Sequence, residues 1–251
     1  MNNSLKQNSH PLVTIVVVTF NCANLIDDTL LSIVNQDYPR IDLVVVDGGS
    51  SDGTVNIIEK YKDKINSYIS EPDNGIYDAM NKGISLSCGA WINFMNAGDS
   101  FASKNSVSKF AIEFDVNYAM IASQVILTGV GDEKIITPNP ISNWRLLKSV
   151  CHQSIFHNTL YLERYETTFR LCSDFDLQCK LYKKLGPYHL KVIEMPLVKY
   201  LTGGASEINY LQRLDERAMI IKSHFSGIVK IINLLNNFRI KYSLLNQRVE
   251  Q

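Results

Sequence analysis

The sequence predicts an α/β protein built on a mainly parallel central sheet. Three observations carry this. Short apolar runs alternate with helix-like stretches over the first hundred residues, the order of right-handed βαβ units. The runs are rich in Val and Ile and lack polar alternation, as strands buried on both faces do. Three of them stop abruptly in clusters of Asp, Asn, Gly, Ser and Thr, at the strand ends where open parallel sheets bind ligands.

The elements follow in order. Residues 1–10 are polar, with no apolar segment of signal-peptide type, so they read as a frayed start and not a secretory leader. Residues 12–20 form the first strand. Asn21 to Asn24 make a turn, and Asn24 caps a helix over 25–36 whose Asp27 and Asp28 suit its positive end. Residues 41–46 form a second strand that stops at Asp47-Gly48-Gly49-Ser50-Ser51-Asp52-Gly53-Thr54, and a helix runs from there to about Lys62. A weak strand over 65–70 and a helix over 76–87 lead to a strand at 91–95, which ends in Asn96-Ala97-Gly98-Asp99.

Beyond residue 100 the pattern loosens. Segments 118–127 and 134–137 read as strands, 141–147 as a short helix and 174–185 as a helix. Residues 192–200 read as a strand that Pro196 places at an edge or a bulge. Two amphipathic helices close the sequence. Ile208, Leu211, Leu214, Ala218, Ile221 and Phe225 mark the first, and Ile228, Ile231, Leu235, Phe238, Tyr242 and Leu245 the second. The domain reading is a catalytic unit over 11–206 and a helical C-terminal extension over 207–251.

Composition narrows the function. The 25 basic and 25 acidic side chains cancel, so no basic excess speaks for nucleic acid. No run of about 18 apolar residues spans a membrane. The 5 cysteines, odd in number and without a CxxC pair, read as reduced thiols of a cytoplasmic protein. Neither GxxxxGK[ST] nor GxGxxG occurs, so no glycine-rich loop cradles a phosphate. Carboxylates remain. They accept hydrogen bonds from a base or ribose, or hold a divalent cation that neutralises a diphosphate. Asp47 suits the first role and Asp99 the second, with a plain turn as the competing reading of Asp47-Gly48-Gly49.

The ordered set VTIVVVTFN, VVVDGGSSDGT, EPDNGIYDAMNKGIS and WINFMNAGDS resembles the family 2 glycosyltransferases of the A-type, Rossmann-like nucleotide-diphospho-sugar transferase fold. CHQSIF, SDFDLQCKL and LTGGAS resemble the subgroup that builds bacterial exopolysaccharide, colanic-acid-type and other surface glycans. The likeness spans residues 11–206. It implies a UDP- or GDP-sugar donor, a divalent cation (Mg2+ or Mn2+) and inversion at the anomeric carbon. By position it places Thr19 and Asn21 in the nucleotide pocket and Asp47 on the base or ribose. Asp73, Asn81 and Lys82 fall in the segment covering the donor, where Lys82 meets phosphate or simply helps end a helix turn. Asp99 matches the last acid of the metal-binding motif. Here the sequence departs from the family, with one carboxylate where many members have two or three.

Inverting transfer needs a base for the acceptor hydroxyl, and the resemblance assigns it to Asp174. The plain alternative is that Ser173 and Asp174 cap a helix. Asp176 points elsewhere on a helix, as a dipole-facing acid or the alternative base. His152 and Gln153 read as acceptor-side or diphosphate-side groups, or as structural ones. Gly203-Gly204 with Ser206 reads as a donor-closing loop or a turn, and Trp144 as a candidate for stacking a sugar.

The expected activity is sugar transfer to a growing, lipid-linked glycan at the cytoplasmic membrane face. There the basic tail helix lies on an anionic surface or packs on the domain. Two rivals stand beside this. A non-catalytic nucleotide-sugar-binding scaffold is favoured by loss of Asp99 or Asp174, and both are present. A sugar nucleotidyltransferase needs a basic, glycine-rich loop after the first strand, and TFNCAN is neither.

Overall fold

The computed structural model describes residues 10–129, 131–138, 150–204 and 208–249. The helix expected over 141–147, Trp144 and Ser206 lie outside them. The N-terminal half runs β1 (Val13–Thr19), α1 (Ile26–Val34), β2 (Ile41–Asp47), α2 (Thr54–Ile58), β3 (Ser67–Ser70), α3 (Ile76–Leu86) and β4 (Trp91–Asn96). The second half runs β5 (Ser100–Phe101), α4 (Ser106–Ala111), β6 (Met120–Thr128), β7 (Lys134–Ile136), β8 (Ile155–Asn158), α5 (Ser173–Leu185) and β9 (Leu190–Leu201). Two helices follow, α6 (Tyr210–His224) and α7 (Gly227–Val249).

The strands form one sheet in the order β3-β2-β1-β4-β8-β6-β9-β5, with β7 paired to β6. The expected parallel arrangement holds from β3 to β4. Past β4 the sheet is mixed. β8 lies antiparallel to both β4 and β6, β9 runs parallel to β6, and β5 runs antiparallel to β9. β1, flanked by β2 and β4, is buried along its whole length.

The pleat divides the core into two layers. Val13, Ile15 and Val17 meet Ile26, Leu30 and Ile33 of α1. Val16 and Val18 meet Tyr77 and Met80 of α3 on the opposite face, and Leu177 and Leu181 of α5 belong to the same layer. This period of two is why the run shows no polar alternation. Each buried Val, Ile or Leu contributes about 1.5–3 kcal/mol.

Two local expectations change. Asn24 does not cap α1. The N-cap is Leu25, with no side-chain cap, and the Cys22 carbonyl accepts from Leu25 N–H and Ile26 N–H instead. The helix begun at Thr54 tightens into a 3-10 turn over Glu59–Lys64. Pro196 does sit at a bulge: Ser123 pairs with Ile193, but Gln124 pairs with Pro196, where a missing N–H is tolerated.

The tail packs on the sheet-bearing part. Ile220 and Ile221 of α6 close a small core with Phe175, Cys172 and Cys179. Asn237 of α7 donates to the Leu214 carbonyl of α6 at 2.8 Å. Among the described residues, no helix is long and apolar enough to cross a membrane.

Gly83 lets α3 approach β1. A Cβ there would stand 2.3 Å from Cγ1 of Val16. Gly83→Ala is expected to destabilise the fold by about 1–3 kcal/mol through overpacking. Adding Val16→Ala should recover part of the lost melting temperature. An unchanged melting temperature for the single variant would refute the close approach.

Candidate active site

Four chain segments meet at the C-terminal ends of β1, β2 and β4. The first two are stitched together. Asn21, with φ of 49°, donates its N–H to Ser50 Oγ at 2.7 Å, and its Oδ1 accepts from Ser51 N–H at 2.9 Å. Asp52 Oδ1 accepts from Thr54 N–H and the Thr54 hydroxyl, and Oδ2 from Ala23 N–H. Those bonds hold its carboxyl below the usual range. Thr19 is buried, and its hydroxyl has no partner among the described residues.

Asp47 has 0% exposure. Its carboxylate accepts from Gly49 N–H, Ser50 N–H and the Ser70 hydroxyl at 3.2, 2.9 and 2.7 Å, and from the Ser50 hydroxyl. In this arrangement Asp47 builds the loop that a donor would meet. Asp73 stands beside it. Its Oδ1 accepts from Gly75 N–H at 2.7 Å, and a Cβ on Gly48 would fall 2.6 Å from its Oδ2. Gly48 thus lets the two loops touch.

Two donor-side candidates lie on α3. Asn81 is buried. Its Nδ2 donates to the Tyr165 carbonyl at 2.9 Å and its Oδ1 accepts from Tyr165 N–H at 2.8 Å, which uses both polar ends to fasten α3 to residue 165. Lys82 is paired, with Nζ 2.8 Å from Glu71 Oε1 and donating to the Pro72 carbonyl at 3.1 Å. It holds the 71–72 segment.

At the end of β4, Gly98 (φ 101°) turns the chain so that Asp99 points inward. Asp99 Oδ1 accepts from Leu201 N–H at 2.9 Å and Oδ2 from Gln153 Nε2 at 2.7 Å. Gln153 is held in turn, because the buried Asn93 donates to the carbonyls of Gln153 and Ile155, both at 2.8 Å. This places His152 between Asn96 and Asp174. Its Nε2 lies 3.4 Å from Asn96 Oδ1 and its Nδ1 3.6 Å from Asp174 Oδ2.

Asp174 lies in the first turn of α5. Its Oδ1 accepts from the Tyr77 hydroxyl at 3.1 Å and from Phe175 N–H at 2.8 Å. Burial, then the Asp174 charge, pushes the Tyr77 phenol well above its ordinary pKa, so it stays a donor. Asp176 diverges, as helix geometry requires. It meets His224 Nε2 at 2.6 Å and Lys180 Nζ at 2.8 Å, and so is taken up in holding the tail.

The implied cation would meet a single carboxylate here, Asp99. Among the described residues, no three His, Cys, Asp or Glu groups converge. Asp99 is 4% exposed, with each oxygen accepting a protein hydrogen bond. A hard cation can take one carboxylate together with waters and diphosphate oxygens. In the folded chain Asp99 anchors Leu201 and Gln153, and each of its oxygens keeps a second lone pair.

Sequence reasoning missed several members. Tyr77 sits in the motif IYDAMNKG, but only its distance to Asp174 reveals its part. Arg170 reaches back to the Asn74 carbonyl and closes the loop beside Asp73. His157 carries no signal at all. It is buried with both ring nitrogens unpartnered among the described residues, and burial drops its pKa to about 3.

Burial pushes the Asp99 carboxyl up to about 6, against the hydrogen bonds from Leu201 and Gln153. The folded chain therefore binds more protons than the unfolded one between about pH 4 and 6. This contribution to stability falls as pH rises through that window, by on the order of 3 kcal/mol. Asp99→Asn stays neutral. Its melting temperature relative to the parent is expected to rise from pH 4 to pH 7, and a difference that ignores pH would remove the buried charge from the account.

Comparisons with known proteins place the fold and the family. The PGL/p-HBAD biosynthesis glycosyltransferase of Mycobacterium bovis is 28% identical over 187 residues, covering 68% of this chain and 70% of its own length. Two solved structures share the fold. S. aureus TarS 1-349 in complex with UDP superposes with a TM-score of 0.66 at 17% identity, over 96% of this chain and 72% of that one. The mannosyltransferase PcManGT from Pyrobaculum calidifontis, in complex with GDP-Man and Mn2+, gives a TM-score of 0.65 at 17% identity, over 91% and 69%. Residues 14–183 match the family described as Glycosyl transferase family 2, and the chain belongs to that family.

Proposed function

We propose that this glycosyltransferase moves a sugar, with inversion, from a UDP- or GDP-sugar to a growing, lipid-linked surface glycan. The observation that carries the reading is Asp174, a carboxylate held by Tyr77 and His152 beside the strand-end loops. In the proposed step the acceptor oxygen attacks the anomeric carbon from the face opposite the diphosphate. Its proton passes to Asp174, the bond from sugar to diphosphate breaks, and the nucleoside diphosphate leaves. Thr19, Asn21, Asp73 and the loop shaped by Asp47 line the donor side.

The donor class is supported by TarS with UDP and PcManGT with GDP-Man, and the surface-glycan setting by the relative named for PGL/p-HBAD biosynthesis. Asp99 would hold Mg2+ or Mn2+ together with diphosphate oxygens and waters, and the cation would neutralise the leaving charge.

The proposal includes the membrane. On α7, Ile228, Ile231, Ile232, Leu235, Phe238 and Tyr242 are exposed, and apart from the adjacent Ile231 and Ile232 they follow one another at three or four residues along one side. Their helix carries Lys230, Arg239, Lys241 and Arg248 and no acid. An apolar row on a basic helix suits the headgroup region of an anionic cytoplasmic leaflet.

Two experiments test this reading. Asp174→Asn keeps shape and helix-capping ability but removes basicity. It should lower turnover by at least about 10² while leaving donor affinity intact. Near-normal turnover with a competent acceptor refutes the assignment. For the tail, Leu235→Glu with Phe238→Glu should release the protein from phosphatidylserine vesicles in flotation and preserve donor hydrolysis. Parent protein that ignores such vesicles, or that dimerises through α7, defeats the membrane reading.

A further inference from the structure

The tail does more than cover α5. Glu216 of α6 is 8% exposed and grips three successive backbone donors. Its Oε1 accepts from Arg170 N–H at 3.1 Å, and its Oε2 from Leu171 N–H at 2.8 Å and Cys172 N–H at 3.1 Å. Gln212 steadies the carboxylate from one turn earlier. These three donors lead straight into α5, whose N-cap, Cys172, makes no side-chain cap. A buried carboxylate in front of a helix start satisfies free N–H groups and complements the helix dipole.

α6 holds the same helix at two further points. His224 meets Asp176 at 2.6 Å, and the Arg217 guanidinium lies 4.2 Å from the Phe175 ring centroid. Residues before Asp174, after it and next but one to it are thus all held by α6. Asp174 itself is left facing Tyr77 and His152. A base in the first turn of a helix depends on how the chain enters that helix, because a displacement of about 1 Å can cost on the order of 10²-fold in rate.

We propose that Glu216 is a positioning residue for Asp174: it fixes the chain entering α5 so that the carboxylate meets the acceptor hydroxyl. This rests on Asp174 being the base. It ties the placement of the base to one side chain of the C-terminal extension over 207–251, outside the catalytic unit over 11–206.

The test combines Glu216→Gln with Asp174→Asn in a double-mutant cycle, with Ile220→Val as a packing control on the same helix contact. Glu216→Gln is expected to lower kcat by on the order of 10-fold to 10²-fold, with the donor Kd unchanged. In the Asp174→Asn background the same change should cost less than about 2-fold, because misplacing an absent base loses nothing. Ile220→Val should lower the melting temperature and leave kcat near normal. Equal losses in both backgrounds overturn the proposal, as does a normal kcat in folded Glu216→Gln. An Ile220→Val variant slowed as much as Glu216→Gln also overturns it. Near-normal turnover of Asp174→Asn alone is a different failure, which removes the base and this proposal with it.

Discussion

A buried chain of amides joins the two halves of this sheet, and the site hangs from it. Asn93 sits in the middle of β4 and holds the carbonyls of Gln153 and Ile155. Gln153 then holds Asp99. Leaving a buried amide N–H without an acceptor is costly, so these two bonds favour one placement of the 152–154 turn against β4. That placement sets His152 beside both Asn96 and Asp174. Asn93 Oδ1 has no partner among the described residues, so the buried amide is one-sided. It spends its two donor bonds on fixing a turn.

The parallel half was legible because its physics is local. β1, β2 and β4 are runs of Val, Ile and Phe too short for helices and stopped by turn formers. The divergence of Asp174 and Asp176 followed from helix geometry alone. What escaped depends on distant partners. Asp99 bonds to Leu201 across 102 residues, and Asn81 to Tyr165 across 84. No spacing in the sequence announces that those polar groups are already satisfied. β8 was invisible for a related reason: Ile-Phe-His-Asn shows no period, and only β4 and β6 on either side make it a strand.

The C-terminal helices divide the two readings that their stripes allow. Ile220 and Ile221 of α6 bury themselves against α5. α7 buries Asn233 and Asn237 and packs Val229 and Leu234 against the core of α5 and α6, while Ile228, Ile231, Leu235, Phe238 and Tyr242 lie outside. Periodicity found both stripes but could not say which had a protein partner, because an amphipathic pattern specifies a face and not what covers it.

His157 draws a last consequence. Kept neutral by burial down to about pH 3, it takes up a proton near its ordinary pKa of about 6.5 only when the chain unfolds. Asp99 does the reverse, holding a proton in the folded chain up to about pH 6 and shedding it on unfolding. Across weakly acidic solution the two cancel: one proton leaves the carboxylate as one joins the imidazole. Unfolding at these two sites is then a proton relocation with no net uptake, and the pair contributes no slope of stability against pH there.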